Sequence, residues 1–259
     1  MYNTLHFRDE GNGQPVILLH GFAEDGAIWD RQAEALSTVA RVVIPDLPGS
    51  GGSPAAGPVT MESMATQIRE LLDDLRIRKT ILIGHSMGGY ISLAFAALYP
   101  ERLHAFGLFH STAYPDTEEK KTVRRKAITF IRANGVAPFI RQSTPNLFSP
   151  ATREGRPQLV ESTIAKYSGF SADALIAYYE AMIARPDRTA VLSQFTGPVF
   201  FAIGADDAIV PVEQALQQCH LPSIAHLHMV EGAGHMAMLE TPEISNRILL
   251  DFINFVYRS

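Results

Sequence analysis

The sequence predicts an α/β fold, in which a mostly parallel sheet is covered by helices on both faces. Short apolar runs rich in β-branched residues alternate with helical patterns along most of the 259 residues. Near-continuous apolar character is typical of strands that are buried on both sides. The alternation stops once, between residues 111 and 196, where helical patterns follow one another without a convincing strand. We therefore expect one large α/β domain with a helical insertion.

The individual elements can be placed from these patterns. The predicted strands are residues 16–20, 41–45, 80–84, 103–110, 198–204 and 225–230. The predicted helices that alternate with them are residues 30–38, 61–75, 87–99, 212–218 and 242–256. The insertion carries helical patterns that include residues 117–133 and 172–184, and its charge run EEKKTVRRK is interpreted as a solvated helix face. We expect residues 1–110 and 197–259 to form the core, and residues 111–196 to form a helical cap, or lid, over one end of the sheet.

Composition and charge limit the class of partner. The formal net charge is −5, which gives no support for binding nucleic acid. Cys219 is the only cysteine, so an intramolecular disulfide is impossible and a reducing compartment is expected. The chain begins without the basic start and apolar run of a signal peptide, and charged residues or histidine interrupt every apolar stretch before it could cross a bilayer. We predict a cytoplasmic protein with a small-molecule partner and no nucleic-acid or membrane partner, and the oligomeric state stays open.

A candidate nucleophile lies in the segment Gly84-His85-Ser86-Met87-Gly88, between a predicted strand and a predicted helix. A sharp turn with small neighbours raises a serine hydroxyl above the edge of a sheet. The helix that begins near Met87 points backbone N–H groups and the positive end of its dipole at the same place. The alternative is a glycine-rich turn with an incidental serine, but the position after a strand and before a helix favours a nucleophile.

A serine hydroxyl needs a base, and the base needs a carboxylate that holds its tautomer. His235 follows the strand at 225–230, and both Asp206 and Asp207 follow the strand at 198–204. Loops at strand ends are where side chains from neighbouring strands can meet. The chain order serine, aspartate, histidine is the order expected of serine hydrolases built on an α/β sheet. From the residues alone, either aspartate can serve.

Two backbone N–H groups are candidates for an oxyanion hole. Gly21 follows the first predicted strand and allows the backbone to approach closely, so the N–H of Phe22 could donate to a developing oxyanion. The N–H of Met87, directly after the nucleophile, is the second candidate donor. The alternative for His20-Gly21 is an ordinary turn from strand to loop.

Six segments resemble successive signature segments of the α/β-hydrolase family, in family order and over nearly the whole chain: LLHGF, DLPGSGGS, GHSMGG, YPERL, GADDAIVP and GAGHMAMLETPE. The resemblance implies an α/β-hydrolase fold whose first strand is missing or very short here, and it selects Asp207 over Asp206 as the acid. It also implies that residues 111–196 occupy the position of the family's cap. The segment MIARPDRTAVL resembles the end of the cap in enol-lactonase-like members.

The resulting hypothesis is a serine hydrolase that cleaves a small to medium carboxylic ester through an acyl-enzyme, with Ser86, Asp207 and His235 as the triad. Lactonase, thioesterase, carbon–carbon bond hydrolase and perhydrolase activities remain open, as does a non-catalytic ligand-binding protein on the same fold. No cofactor and no metal are expected, because GSGGSP has Pro54 where a dinucleotide fingerprint needs glycine, and the nine histidines form no His-Glu-x-x-His motif. Side chains that could line the pocket are Met236, Met238, Phe139, Phe148, Tyr167, Phe170, Tyr178 and Met182.

Overall fold

Seven strands form one sheet in the computed structural model, which describes residues 5–55 and 57–258. The strands are β1 (Phe7–Glu10), β2 (Pro15–Leu19), β3 (Arg41–Pro45), β4 (Thr80–His85), β5 (Leu103–Phe109), β6 (Val199–Gly204) and β7 (Ala225–Val230). Their order across the sheet is β1-β3-β2-β4-β5-β6-β7. Every pair is parallel except β1 with β3. The predicted α/β fold is therefore confirmed.

The strand order reverses between β2 and β4. After β2 the chain runs to β3 on one side, and it then passes β2 to place β4 on the other side. Parallel pairing sets Leu19 opposite Gly84, so the loops that follow β2 and β4 leave the sheet side by side. In open α/β sheets, ligands bind at the carboxyl ends of the strands at such a reversal.

The central strands are buried on both faces, as their continuous apolar sequences predict. Every residue of β4 and of β6 is buried. Among the largest fully buried side chains are Phe106, Phe109, Phe200 and Phe201 of β5 and β6. Full burial of each such side chain stabilises the fold by about 1.5–3 kcal/mol relative to exposure.

The last strand differs from its prediction. β7 was expected to be covered on both faces, but it is an edge strand in which exposed and half-buried residues alternate. Leu227 and Met229 are 41% and 40% exposed. His226 and His228 share the covered face, where His226 packs on Phe255 and His228 packs on Phe200. Their packing on aromatic rings agrees with the interpretation of these histidines as strand residues.

Twelve α-helices are described. They are α1 (Asp30–Leu36), α2 (Met61–Asp74), α3 (Met87–Leu98), α4 (Glu118–Asn134), α5 (Val136–Ser143), α6 (Pro150–Gly155), α7 (Pro157–Tyr167), α8 (Ala172–Ala184), α9 (Thr189–Gln194), α10 (Val212–Leu216), α11 (Ala237–Glu240) and α12 (Pro242–Arg258). Next to the sheet, α1 packs on α12 and α2 packs on α3. In the described residues, no helix is long and apolar enough to span a bilayer. The cytoplasmic location stays a prediction.

The observed ends of the predicted elements lie within two residues of the predicted ones, and one further strand is present near the start of the chain. The strand β1 precedes residue 16, where the sequence left room for one strand, and it pairs only with β3. Helix α10 ends at Leu216 rather than at residue 218, and the buried side chain of Gln218 lies against the loop after β5. There Gln218 accepts a hydrogen bond from the N–H of Ala113 at 2.7 Å and donates to the carbonyl of Ser111 at 3.1 Å.

The segment between β5 and β6 is helical, as predicted. Residues 111–196 are all described, and they contain α4 to α9 and a 3-10 turn at Thr144–Leu147, without a strand. The hydroxyl of Tyr178 in α8 donates to the carbonyl of Pro48, and the hydroxyl of Tyr167 in α7 donates to Asp25. These bonds hold the helical segment against the loops after β3 and β2.

Candidate active site

Ser86 occupies a strained turn between β4 and α3. Its φ is 49° and its ψ is −112°. Residues other than glycine rarely adopt this backbone conformation, which costs about 1–3 kcal/mol. The backbone around it is held in place by hydrogen bonds. The N–H of Ser86 donates to the carbonyl of Phe109 at 3.0 Å, and its carbonyl accepts from the N–H of Gly89 at 2.9 Å and from Ser111 Oγ at 2.7 Å. The surrounding structure therefore maintains the predicted turn.

The two glycines that flank this turn are required by close packing. A Cβ atom on Gly84 would lie 2.1 Å from the carbonyl oxygen of Gly88. A Cβ atom on Gly88 would lie 2.7 Å from the carbonyl oxygens of Leu19 and His20. Helix α3 thus starts directly against β4 and against the end of β2, and a larger residue at either position would force these elements apart.

Asp207 and His235 form a buried pair. Nδ1 of His235 donates to Oδ2 of Asp207 at 2.8 Å, while Oδ1 accepts from the N–H groups of Ile209 and Val210 at 2.8 and 2.9 Å. Burial alone would raise the pKa of the Asp207 carboxyl, but His235 and His110 hold it well below its usual range. Asp206 is exposed. Of the two candidate aspartates, Asp207 is the one that contacts His235.

The loop that carries His235 is held by the helical segment. The N–H of His235 donates to the carbonyl of Leu147 at 2.7 Å. The buried carboxylate of Glu240 accepts from the N–H of Gly234 and from the N–H of Ser149, each at 2.8 Å. Because Nδ1 of His235 donates to a carboxylate, the neutral form of the ring carries its proton on Nδ1 and its lone pair on Nε2. Nε2 is therefore the nitrogen that can accept a proton.

His20 sets the direction of the peptide between Gly21 and Phe22. Its Nε2 accepts from the N–H of Leu47 at 2.9 Å, so its Nδ1 carries the proton and donates to the carbonyl of Gly21 at 2.9 Å. The carbonyl and the N–H of one trans peptide point in opposite directions. This bond consequently turns the N–H of Phe22 away from His20. A Cβ atom on Gly21 would lie 3.2 Å from Ser86 Cβ, so this peptide lies next to the serine.

Glu24 connects the three loops of the site. Its Oε2 accepts from the N–H of Gly21 at 2.6 Å and from Nδ1 of His85 at 3.0 Å. Nε2 of His85 in turn lies 2.9 Å from the carbonyl oxygen of His235. The bonds therefore run from the loop after β2, through the residue before Ser86, to the loop that carries His235.

The partners of His85 require that its ring is protonated. A carboxylate and a carbonyl oxygen only accept hydrogen bonds, so both ring nitrogens must donate. Burial alone would lower the pKa of His85, but the charge of Glu24 and the hydrogen bond to it raise that pKa above its ordinary value. Burial alone would raise the pKa of Glu24, but His85 lowers it. The two residues thus form a buried ion pair behind Ser86.

A second histidine also contacts Asp207. His110 follows β5 with φ at 52°, and its Nδ1 lies 3.2 Å from Oδ2 of Asp207 and 3.1 Å from the N–H of Gly204. This one nitrogen can either donate to the acid or accept from β6. Burial lowers the pKa of His110, and its Nε2 has no hydrogen-bond partner within residues 5–55 and 57–258.

His110, Asp207 and His235 also have the donor atoms of a small metal site, because their nitrogen and oxygen atoms lie within 4.8 Å of one another. Nδ1 of His235 and Oδ2 of Asp207 are hydrogen-bonded to each other. A hydrogen-bonded acid and base account for this arrangement, and the expectation of no metal and no cofactor stays a prediction.

Ser86 opens into a cavity of about 420 Å³. His235 and Phe22 line the same cavity. Of the suggested pocket residues, those that line it are Met236, Phe139, Tyr167 and Met182. The cavity is not lined by the other four suggested residues, which are Met238, Phe148, Phe170 and Tyr178. Because these four are buried or partly buried against the core, they contribute to packing.

Sequence reasoning missed Glu24, His85 and His110. The sequence shows an acid four residues after His20 and a histidine before Ser86, but it gives no sign that they meet. His85 is 61 positions from Glu24 and 150 positions from His235 in the sequence. His110 is 97 positions from Asp207. The only available signal for His110 was its position as the last residue of the strand predicted at 103–110.

Replacing Glu24 by Gln tests the buried ion pair. Its removal leaves His85 without a countercharge, so we expect a loss of about 3 kcal/mol in the free energy of unfolding. The raised pKa of His85 stabilises the fold below its ordinary pKa of 6.5, and this contribution is lost as the pH rises through the folded-state value. The lowered pKa of Glu24 stabilises the fold above its ordinary pKa of 4.5, and this contribution is lost as the pH falls through the folded-state value.

The difference from wild type should therefore be largest between pH 4.5 and 6.5. Urea unfolding across the pH range measures it, with Glu34→Gln on the exposed face of α1 as the control. A destabilisation by Glu24→Gln no larger than that of the control within this window would contradict the ion pair.

Comparisons with known proteins agree with this fold. A family model described as the alpha/beta hydrolase fold matches residues 14–121. A thermophilic esterase from Thermogutta terrifontis superimposes with a TM-score of 0.93 at 32% identity, covering 97% of this chain and 93% of the esterase. RutD of Stutzerimonas stutzeri, which carries the provisional name carbamate hydrolase, is 29% identical over 98% of this chain and 96% of its own length. An enol-lactonase from Burkholderia xenovorans has a TM-score of 0.89 at 24% identity, covering 96% of each chain. The chain belongs to the α/β-hydrolase family.

Proposed function

We propose that this protein is a serine hydrolase that cleaves small to medium carboxylic esters through an acyl-enzyme intermediate. The observation that carries the proposal is the presence of Ser86 and His235 in the lining of one cavity, with His235 bonded to a buried aspartate. Similarity to an esterase at 32% identity over nearly the full length supports an ester as the substrate. The catalytic triad is Ser86, His235 and Asp207.

In the first half of the reaction, Oγ of Ser86 attacks the ester carbonyl and its proton passes to Nε2 of His235. Asp207 stabilises the imidazolium that forms. The carbonyl oxygen becomes an oxyanion, which accepts hydrogen bonds from the N–H groups of Phe22 and Met87. The bond to the leaving alcohol then breaks, and the alcohol oxygen takes the proton from Nε2.

In the second half, water attacks the carbonyl of the acyl-enzyme while Nε2 of His235 takes one of its protons. The same two N–H groups stabilise the second oxyanion. The bond between the acyl carbon and Ser86 Oγ then breaks, and Oγ recovers a proton from Nε2. The carboxylic acid leaves and the enzyme returns to its starting state.

We also propose that residues 111–196 act as a cap over the site. Most residues that line the cavity come from this segment, including Tyr179 and Met182 of α8. The carbonyl of Leu147, in the same segment, accepts a hydrogen bond from the N–H of His235. A change in the position of the cap would therefore affect both the shape of the pocket and the placement of the base.

Other carbonyl substrates are compatible with the same steps. Lactones and thioesters present the same electrophilic carbon to Ser86, and only the leaving group differs. A ligand-binding protein without turnover is less well supported. A backbone strained by about 1–3 kcal/mol at Ser86 would bring no advantage to a protein that only binds.

Replacing Ser86 by Ala should reduce kcat/KM for p-nitrophenyl esters, from acetate to decanoate, by at least about 10³-fold. The reason is that no other group in this mechanism can form the acyl-enzyme. Release of p-nitrophenol measures the rate, and Ser193→Ala at an exposed position of α9 serves as the control. Equal turnover by Ser86→Ala and wild type would exclude Ser86 as the nucleophile.

Two neighbouring aspartates provide a matched pair of variants. Asp207→Asn should lower kcat by about 10³-fold to 10⁴-fold, because the amide no longer holds His235 in the required tautomer. Asp206→Asn, at the exposed neighbour, should retain kcat within about threefold of wild type. Steady-state kinetics on the preferred p-nitrophenyl ester distinguishes them. Similar losses in both variants would contradict the assignment of the acid.

A further inference from the structure

One turn of α4 contributes two cations to the lining of the cavity that contains Ser86. Lys120 and Arg124, four residues apart, both line the cavity that contains the serine. The charge run of α4 was predicted to be a solvated helix face, and most of its residues are indeed exposed. Lys120 and Arg124 depart from that prediction because they face the substrate cavity.

Arg124 belongs to a cluster with an excess positive charge. The fully buried carboxylate of Asp116 accepts from Nε of Arg124 at 2.5 Å, from its Nη2 at 3.2 Å, and from Nη1 of Arg185 at 2.9 Å. Burial alone would raise the pKa of Asp116, but the two arginines lower it, so the carboxyl stays ionised. One negative charge thus faces two positive charges, and the cluster carries a net charge of +1.

The two arginines differ in how many of their N–H groups already donate hydrogen bonds. Arg185 is buried, donates to the carbonyls of Met182 and Tyr114, and stacks on Tyr90 at 3.9 Å. Arg124 lies beside Tyr179 and borders the cavity, and within the described parts of the chain no acceptor is found for its Nη1. Nη1 of Arg124 therefore remains available to a ligand.

The other charges that line the cavity do not neutralise this cluster. Lys120 donates to the carbonyl of Ile209 at 3.2 Å, and none of the described carboxylates lies within ion-pair distance of it. Of the two acids in the lining, Glu24 is engaged by His85 and by the N–H of Gly21, whereas Glu119 is exposed to solvent. The rest of the lining is largely apolar.

We propose that the substrate carries a carboxylate that binds Nη1 of Arg124 while its ester carbonyl lies at Ser86. The substrate class is then a half-ester of a dicarboxylic acid. A single carboxylate matches the net charge of the arginine cluster, and a guanidinium offers planar donors to it. Lys120 adds positive potential to the same wall. This proposal rests on the proposed hydrolase function and adds its substrate class.

Two substrates of nearly identical shape separate charge from size. Monoethyl adipate carries the carboxylate, and ethyl 6-amino-6-oxohexanoate carries a neutral amide in its place. We expect wild type to have a kcat/KM at least about tenfold higher for monoethyl adipate, because a hydrogen bond to a charged partner contributes more than one between neutral groups. Ethanol release measures both rates, and monoethyl succinate and monoethyl pimelate define the best length.

Arg124→Gln is the decisive variant. It should reduce the preference for the carboxylate substrate over the amide substrate by about 10-fold to 100-fold. Arg124→Lys, which keeps the charge, should restore part of that preference. Arg125→Gln, at the exposed neighbouring position of α4, should leave the preference as it is in wild type.

Binding without turnover provides a second measurement. Calorimetry with Ser86→Ala should show tighter binding of monoethyl adipate than of the amide, and the difference should disappear in Ser86→Ala/Arg124→Gln. Equal rates for the two substrates in wild type, or an equal effect of Arg124→Gln on both, would overturn the proposal. If p-nitrophenyl butyrate is cleaved but no carboxylate preference exists, the substrate class alone is wrong. If no ester is cleaved, the hydrolase function is wrong as well.

Discussion

The buried ion pair of Glu24 and His85 is the interaction on which the geometry of the site depends. Ser86, His235 and the peptide before Phe22 lie on three separate loops, and each loop follows a different strand. The carboxylate of Glu24 accepts a hydrogen bond from the N–H of Gly21 in the loop after β2. The ring of His85 donates to Glu24 on one side and to the carbonyl of His235 on the other. Because both nitrogens of the protonated ring donate to acceptors on different loops, the ion pair couples the positions of the three loops.

The sheet explains why this pair can form. Reversal of strand order places β2 beside β4, and parallel pairing ends both strands at the same edge. The loops after β6 and β7 leave that edge side by side as well, because Gly204 pairs with Val230. The chain therefore brings residues more than a hundred positions apart into hydrogen-bond distance by strand order alone. The helical segment between β5 and β6 supplies most of the residues that line the cavity.

The sequence was sufficient for features that are encoded locally. The turn at Ser86 needs glycines two residues before and two after it, and packing against Leu19 and His20 explains both. Asp207 follows its strand at a position that the family resemblance singles out, and the structure places it on His235. Five of the six predicted strands, β2 to β6, could be placed because strands that are buried on both faces have continuous apolar sequences.

Features that depend on distant partners could not be predicted. The edge position of β7 follows from sheet order, and an apolar edge strand has the same sequence pattern as a central one. Glu24 and His85 are separated by 61 residues, and only the adjacency of β2 and β4 brings them together. Arg124 lies within a run of charges that is typical of a solvated helix, and the buried Asp116 that orients it is recognised only in three dimensions.

Covalent trapping of the nucleophile tests the central claim most directly. Wild type treated with diisopropyl fluorophosphate should gain one diisopropylphosphoryl group, and tryptic digestion should locate it in the peptide of residues 80–102. Fragmentation of that peptide should assign the group to Ser86 rather than Ser92, and His235→Ala should react far more slowly. A protein that gains no adduct, or gains it at another residue, would contradict the account of Ser86 as a nucleophile activated by His235.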